Sequence, residues 1–219
     1  MIRMENVSLV SNKTKILEDI SFHVDKGEFV YLFGTSGAGK SSILRLIHFD
    51  MLPTAGSVWV QDVETSTIKR SKIPLMRRSI GFIFQDYKLL KDRTAFENVS
   101  FALEVTGAKN RIIKQKTLYA LSTVGLTHRL SHHPDDLSGG ECQRVAIARA
   151  IVLEPFILLA DEPTGDLDEG NSQAIVELLE QINHAGTAVL MATHKSEFTK
   201  RGKSRTLTIK DGRIDNCMP

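Results

Sequence analysis

The sequence predicts an α/β protein: a mainly parallel sheet core with an antiparallel β part and an inserted helical subdomain. Three observations carry this. Short apolar runs at Phe29–Phe33 and at residues 80–84, 156–160 and 187–192 lack the polar alternation of a half-exposed strand, as strands buried on both faces do. Helical stripes separate several of these runs, and strands alternating with helices form parallel sheets. Residues 94–151 carry mostly helical signals and read as an insertion. The chain has 219 residues, is 42% hydrophobic and has a formal charge of +2, which suits one folded domain and excludes a disordered chain. No apolar run approaches the roughly 18 residues that span a bilayer. The first residues carry no apolar signal region, which argues against export. Two cysteines cannot build a disulfide framework, so the default is a soluble cytoplasmic protein, and the weak positive balance argues against a dedicated nucleic-acid binder.

In chain order, Ile20, Phe22 and Val24 alternate with polar residues as a half-buried strand does. Lys26-Gly27 turns the chain into Phe29–Phe33, which runs into Gly34; Ile43, Leu44 and Ile47 then recur at helical spacing. Residues 53–56 read as a turn, 57–60 as a short strand, and 80–84 as a strand ending at Gln85. Thr94 with Glu97 forms a capping box whose helix ends near Gly107. Ile113, Ala120, Leu121 and Val124 mark a helix stopped by Gly125. Ser138 with Glu141 is a second capping box, opening a helix that Pro155 ends. Strands return at 156–160, 187–192 and 206–209, with a helix carrying Ile175, Leu178, Leu179 and Ile182 between the first two. Asp211-Gly212 predicts a hairpin turn into Arg213-Ile214.

Gly34-Thr35-Ser36-Gly37-Ala38-Gly39-Lys40-Ser41 fits G-x-x-x-x-G-K-[ST], between a buried strand and a helix as the motif requires. Its glycines let successive N–H groups converge on phosphate oxygens, and the helix that follows adds its N-terminal partial charge. Lys40 is placed to reach the β- and γ-phosphates and Ser41 to offer a hydroxyl to Mg²⁺. Residues 157–162 then deliver two carboxylates, Asp161 and Glu162, from the end of an apolar strand, where ligands gather in open α/β sheets. Asp161 suits the metal shell, and Glu162 can orient and deprotonate an attacking water. Gln85 and His194 also sit at strand ends. Gln85 is a candidate to touch metal and water, and His194 to contact the γ-phosphate; taken singly, each is an ordinary polar strand end.

Ser138, Gly139 and Gly140 expose the first N–H groups of a capped helix, a second anion site on one chain. On local sequence alone it is a plain capping box; read as an anion site, it would meet either another phosphate or the γ-phosphate held by a different copy of the protein.

The cradle, Gln85, Leu-Ser-Gly-Gly-Glu at 137–141, Asp161-Glu162, Asp166-Leu167-Asp168 and His194 occur in an order that resembles the ABC-transporter ATPase family over essentially the whole chain. The resemblance implies a P-loop NTPase of ABC ATPase type, Mg-dependent hydrolysis of ATP, and two ATP molecules in a head-to-tail homodimer. The cradle (Gly34, Thr35, Ser36, Gly37, Ala38, Gly39, Lys40, Ser41, Ser42) with Gln85 and Asp161 would face Ser138, Gly139 and Gly140 of the other copy. Ser41, Gln85 and Asp161 would hold Mg²⁺, and Glu162, His194 and Lys40 would carry catalysis. It divides the single domain (1–219) into a nucleotide-binding core, 1–88 and 155–219, and an inserted helical subdomain, 89–154, carrying the 137–141 segment. It also places the protein on the cytoplasmic face of the membrane beside an integral membrane partner, sensed by the loop after Gln85, while 166–168 would communicate across the dimer. Within the family, residues 84–94, Glu97-Asn98-Val99 and Met191-Ala192-Thr193-His194 are most similar to the bacterial cell-division branch. The alternatives are ATPases of lipoprotein-releasing and of macrolide or peptide exporters. Relatives place an adenine-stacking aromatic near position 11; here Leu9-Val10-Ser11-Asn12 has none. Such stacking is worth about 1–3 kcal/mol, so modest affinity and weakened adenine preference are expected. Cys142, Lys195, Asp166 and Ser42 also depart from the usual Gln, Asp, Asn or Ala, and Thr.

His132-His133 near Cys142 lacks metal-ligand spacing and reads as a solvated loop. The basic stretch from Lys69-Arg70 to Arg77-Arg78 reads as a solvated face, with anionic lipid beside a membrane partner as the alternative, and Cys217 as part of a frayed tail. A soluble nucleic-acid or ribosome ATPase of the family would carry two units or long coiled-coil insertions, and a small-molecule kinase would lack 137–141.

Overall fold

The computed structural model describes residues 1–199 and 204–218. Two sheets stand in it. One is antiparallel, in the order β2-β1-β4-β5, built from β1 (Ile2–Ser11), β2 (Thr14–Val24), β4 (Ala55–Val60) and β5 (Val63–Glu64). The other holds β3 (Phe29–Phe33), β6 (Ile80–Ile83), β7 (Ile157–Asp161), β8 (Ala188–Thr193), β9 (Arg205–Lys210) and β10 (Arg213–Met218), in the order β10-β9-β3-β8-β7-β6. Every pairing in it is parallel except β9 with β10. The α/β class and the antiparallel part both hold.

The unbroken apolar runs have a direct cause. Along β3, Val30 and Leu32 enter one core while Phe29 and Tyr31 enter another; along β8, Ala188, Leu190 and Ala192 part from Val189 and Met191 in the same way. Successive side chains of a strand point to opposite faces, so a sheet buried on both sides needs apolar residues at every position. The first core joins that face to the antiparallel sheet and α1 (Lys40–Ile47). The second is covered by α3 (Ala95–Glu104), α4 (Asn110–Thr123), α5 (Gly139–Ile151) and α6 (Glu169–His184). Both capping boxes are formed: Thr94 and Ser138 accept from the N–H of Glu97 and Glu141, whose carboxylates accept from the cap N–H groups in return.

Several elements differ from the sequence reading. β1 was not foreseen. Asn6 takes a positive φ of 49° and breaks the register, so its inward residues do not keep one alternation. Gly56 belongs to β4 rather than to the turn: at φ 77° it faces that bulge, and a β carbon there would lie 2.3 Å from Asn6 O. α5 ends at Ile151, ahead of Pro155. The basic stretch is not simply a solvated face. It contains α2 (Ile73–Arg78), and Arg77 donates to His48 O and Phe49 O and pairs with Asp50 at 2.6 Å. Cys217 lies in β10, its backbone paired with Leu207, rather than in a frayed tail. The remaining helix, α7 (Ser196–Thr199), follows β8. No helix among the described residues is long and apolar enough to cross a membrane.

Candidate nucleotide-hydrolysis site

Parallel strands bring their C-terminal ends to one edge, and there the sheet delivers its polar residues. β3 leads into the loop 34–39, β6 towards Gln85, β7 to Asp161 and Glu162, and β8 to His194. Between them lies a cavity of 770 Å³, lined by residues that include Gly34, Gly37, Lys40, Ser41, Gln85, Glu162 and His194.

The loop is shaped for an anion. Gly39 precedes α1 at φ 107°, a conformation that glycine adopts without a Cβ penalty. Gly34 needs the space: a β carbon there would lie 2.4 Å from Ile209 O. Gly34 N–H donates to Thr193 O and Ala38 N–H to Thr35 O, whereas no hydrogen bond occupies the N–H of Ser36, Gly37 or Gly39 among the described residues. Those groups and the start of α1 form a concave set of donors.

Lys40 is 5% exposed and fully engaged. Its Nζ donates to Gly34 O at 2.7 Å and Thr35 O at 3.0 Å, and pairs with Glu162 Oε1 at 3.1 Å. The other oxygen of Glu162 lies 2.7 Å from His194 Nδ1. Each carboxylate oxygen of Glu162 is thus held from a different side. Glu162 reaches this place from a backbone φ of 47°. For a non-glycine residue that costs about 1–3 kcal/mol, a strain that concentrates at functional sites.

Ser41 Oγ donates to Asp161 Oδ1 at 2.9 Å. Burial pushes the Asp161 carboxyl upward, the Ser41 bond opposes this, and the nearby Glu162 charge adds to the rise. A hydroxyl and one carboxylate are hard oxygen donors. No cluster of three or more acidic, His or Cys side chains suits a metal among the described residues. That donor set fits Mg²⁺, which is commonly bound by one or two carboxylates with substrate phosphates and water completing its octahedron.

Of the sequence-predicted residues, Gly34–Gly37, Gly39–Ser42, Gln85, Glu162 and His194 line the cavity, whereas Ala38 and Asp161 do not, Asp161 meeting it only through Ser41. Ser138, Gly139 and Gly140 do not line it either. They stand at the tip of α5 against α6, where a β carbon on Gly140 would lie 2.7 Å from Asn171 Oδ1. The far end of the cavity is formed by residues the sequence reading missed, Ile16 and 208–211. The strand at 206–209 and the Asp211-Gly212 turn mark part of this segment in the sequence, but nothing there marks it as a cavity wall. That turn is tied to β2 by the Glu18 N–H donating to Gly212 O. Asp168 caps α6 through Asn171 N–H, so it has a local role. Lys195 donates to Thr164 O and Ser172 Oγ, both at 3.0 Å, bridging the segment after β8 to the loop after β7.

Known proteins match this arrangement. Residues 17–165 match the family described as ABC transporter. The cell division ATP-binding protein FtsE of Bacillus subtilis (strain 168) is 47% identical over 215 residues, 98% of this chain and 94% of that protein. FtsE of Escherichia coli (strain K12) is 44% identical over 215 residues, 98% of this chain and 97% of that protein. Among solved structures, a dimeric ATP-binding cassette in a post-hydrolysis state, bound to ADP and Pi, superposes with a TM-score of 0.90. It is 32% identical and covers 100% of this chain and 98% of that one. With the match spanning most of the cradle-to-carboxylate core, this chain belongs to the ABC transporter family.

Proposed function

We propose that the chain is an ATP-hydrolysing subunit that dimerises head to tail on ATP and drives a shape change in an integral membrane partner, as an FtsE-like cell-division ATPase with an FtsX-type partner. It works from the cytoplasmic face of the membrane. The observation that carries this reading is the divided anion machinery. The cavity holds Lys40, Ser41, Glu162 and His194, while the capped tip at Ser138, Gly139 and Gly140 lies outside it. A second copy completes the site by presenting that tip to the γ-phosphate. The core at 1–88 and 155–219 binds the nucleotide, and the helical subdomain at 89–154 carries the tip.

The chemistry follows from the contacts. A triphosphate in the loop meets the N–H groups of Ser36, Gly37 and Gly39 and competes with Glu162 for Lys40. As Lys40 turns to the phosphates, Glu162 Oε1 is released to orient water and take its proton, while His194 keeps Oε2 in place. Ser41, Asp161 and Gln85 would hold Mg²⁺, which would supply neutralisation of the charge that develops on the phosphates. Light scattering of the Glu162→Gln chain with ATP and magnesium tests the proposal. A dimer that forms with ATP and dissolves with ADP is expected, and a monomer under both conditions refutes it.

A further inference from the structure

Arg149 is half-buried on α5 and pairs with no carboxylate among the described residues. Its guanidinium is spent on a turn far away in sequence. Nη1 donates to Lys88 O at 2.6 Å and Nη2 to Tyr87 O at 2.7 Å. Those two carbonyls belong to consecutive residues with left-handed backbones, φ 56° at Tyr87 and 50° at Lys88. Non-glycine residues adopt that conformation singly and at a cost, and two in succession need an external hold. The same turn comes close to the other end of α5: a β carbon on Gly139 would lie 3.3 Å from the Tyr87 hydroxyl. Gly139 and Arg149 are separated by about 15 Å of helix, a span that the tyrosine ring and the arginine side chain cover from the shared backbone of residue 87. Gln85, on the cavity wall, is two residues upstream.

We propose that Arg149 is a positioning residue. It holds the turn 86–88 in its left-handed form, braced lengthwise on α5, and so couples Gln85 at the nucleotide cavity to Ser138–Gly140 at the helix tip. The inference rests on the ATPase reading above. Without the two guanidinium bonds the turn relaxes towards the right-handed path, which swings Gln85 off the cavity wall and draws Tyr87 away from Gly139. An apolar side chain could fill the space but could not hold two carbonyls.

A double-mutant cycle between Arg149 and Gln85 in the full chain tests this, with turnover, KM and ADP affinity measured for each variant. Arg149→Met is expected to lower kcat by about 10- to 100-fold, with KM and ADP affinity within about twofold. Arg149→Lys, which keeps the charge and one bond, should recover part of the loss. In the Gln85→Ala background, Arg149→Met should change kcat by no more than about twofold, because the residue it positions is gone. An unchanged kcat in Arg149→Met, or an equal loss in both backgrounds, overturns the proposal. If Arg149→Met fails to fold, Arg149→Lys is read in the same cycle against the same criterion. A parent chain that hydrolyses no ATP would instead refute the ATPase reading itself.

Discussion

Replacing Glu162 by Gln separates chemistry from binding. The carboxylate has one oxygen 3.1 Å from Lys40 Nζ and the other 2.7 Å from His194 Nδ1. Gln keeps the shape and can still accept from Lys40, but it cannot take a proton from water. Loss of a positioned general base lowers turnover by about 10²–10⁴-fold, or about 3–5 kcal/mol on the barrier. Binding should move the other way. Unit charges at this separation attract by about 5 kcal/mol at an effective dielectric of 20, and Lys40 must give up most of that attraction to serve a phosphate. Removing the charge removes the competitor, so ATP should bind more tightly by roughly 1–2 kcal/mol, about 5- to 30-fold. The nucleotide-free protein pays for this with a Lys40 left only two carbonyl partners and an amide. Its melting temperature should fall by a few degrees, at about 2–4 °C per kcal/mol for a chain of this size, and ATP should more than restore it. Phosphate release, calorimetric titration with ATP and thermal melts with and without nucleotide supply the three readouts. Parent-like turnover would show that Glu162 is not the base. Weaker ATP binding would show that Lys40 and Glu162 do not compete.

Gly34→Ala drives a methyl to within 2.4 Å of Ile209 O, a backbone atom. It should destabilise the fold by about 1–3 kcal/mol and weaken nucleotide binding; an unchanged melt would mean that the loop yields freely. Asn98 is fully buried, donates to Leu90 O, Arg93 O and Thr94 O, and accepts from Leu90 N–H. Asn98→Ala orphans Leu90 N–H and Arg93 O, while Leu90 O keeps the Arg93 N–H and Thr94 O keeps the N–H of residue 98; at about 1–3 kcal/mol for each left buried a loss of a few kcal/mol by urea denaturation is expected, and less than 1 kcal/mol would contradict the bonding. His48 packs edge-on to Phe82; burial lowers its pKa, the Asp50 carboxylate opposes this and Arg77 adds to it. The unfolded chain therefore takes up a proton near pH 6.5 that the folded chain resists, so this contribution is full above pH 6.5 and shrinks as pH falls through it. His48→Gln should flatten the fall of melting temperature between pH 7 and pH 5, and an unaltered slope would mean that His48 does not supply it.

Much of this protein is written in short range. The buried strands, the cradle, both capping boxes and the Asp211-Gly212 turn depend on residues within a few positions of one another. Periodicity and turn chemistry therefore reveal them. β1 is hidden in the sequence because a positive-φ Asn6 breaks its alternation, and Gly56 reads as part of a turn because its partner at the bulge lies fifty residues away. Arg77 looked like one charge among several, since its carbonyl partners at His48 and Phe49 belong to another element.

The sequence alone determined which groups stand as candidates to bind a triphosphate and cut it, because loop curvature, strand-end carboxylates and capped helix tips are local properties of the chain. Tertiary structure decided who meets whom. It set Lys40 against Glu162, Ser41 against Asp161 and Arg149 against the turn after Gln85, and it kept the α5 tip off the cavity. The physical reason is that each of these contacts joins elements brought together by sheet order and by packing on two opposite faces, and no spacing along the chain encodes that proximity.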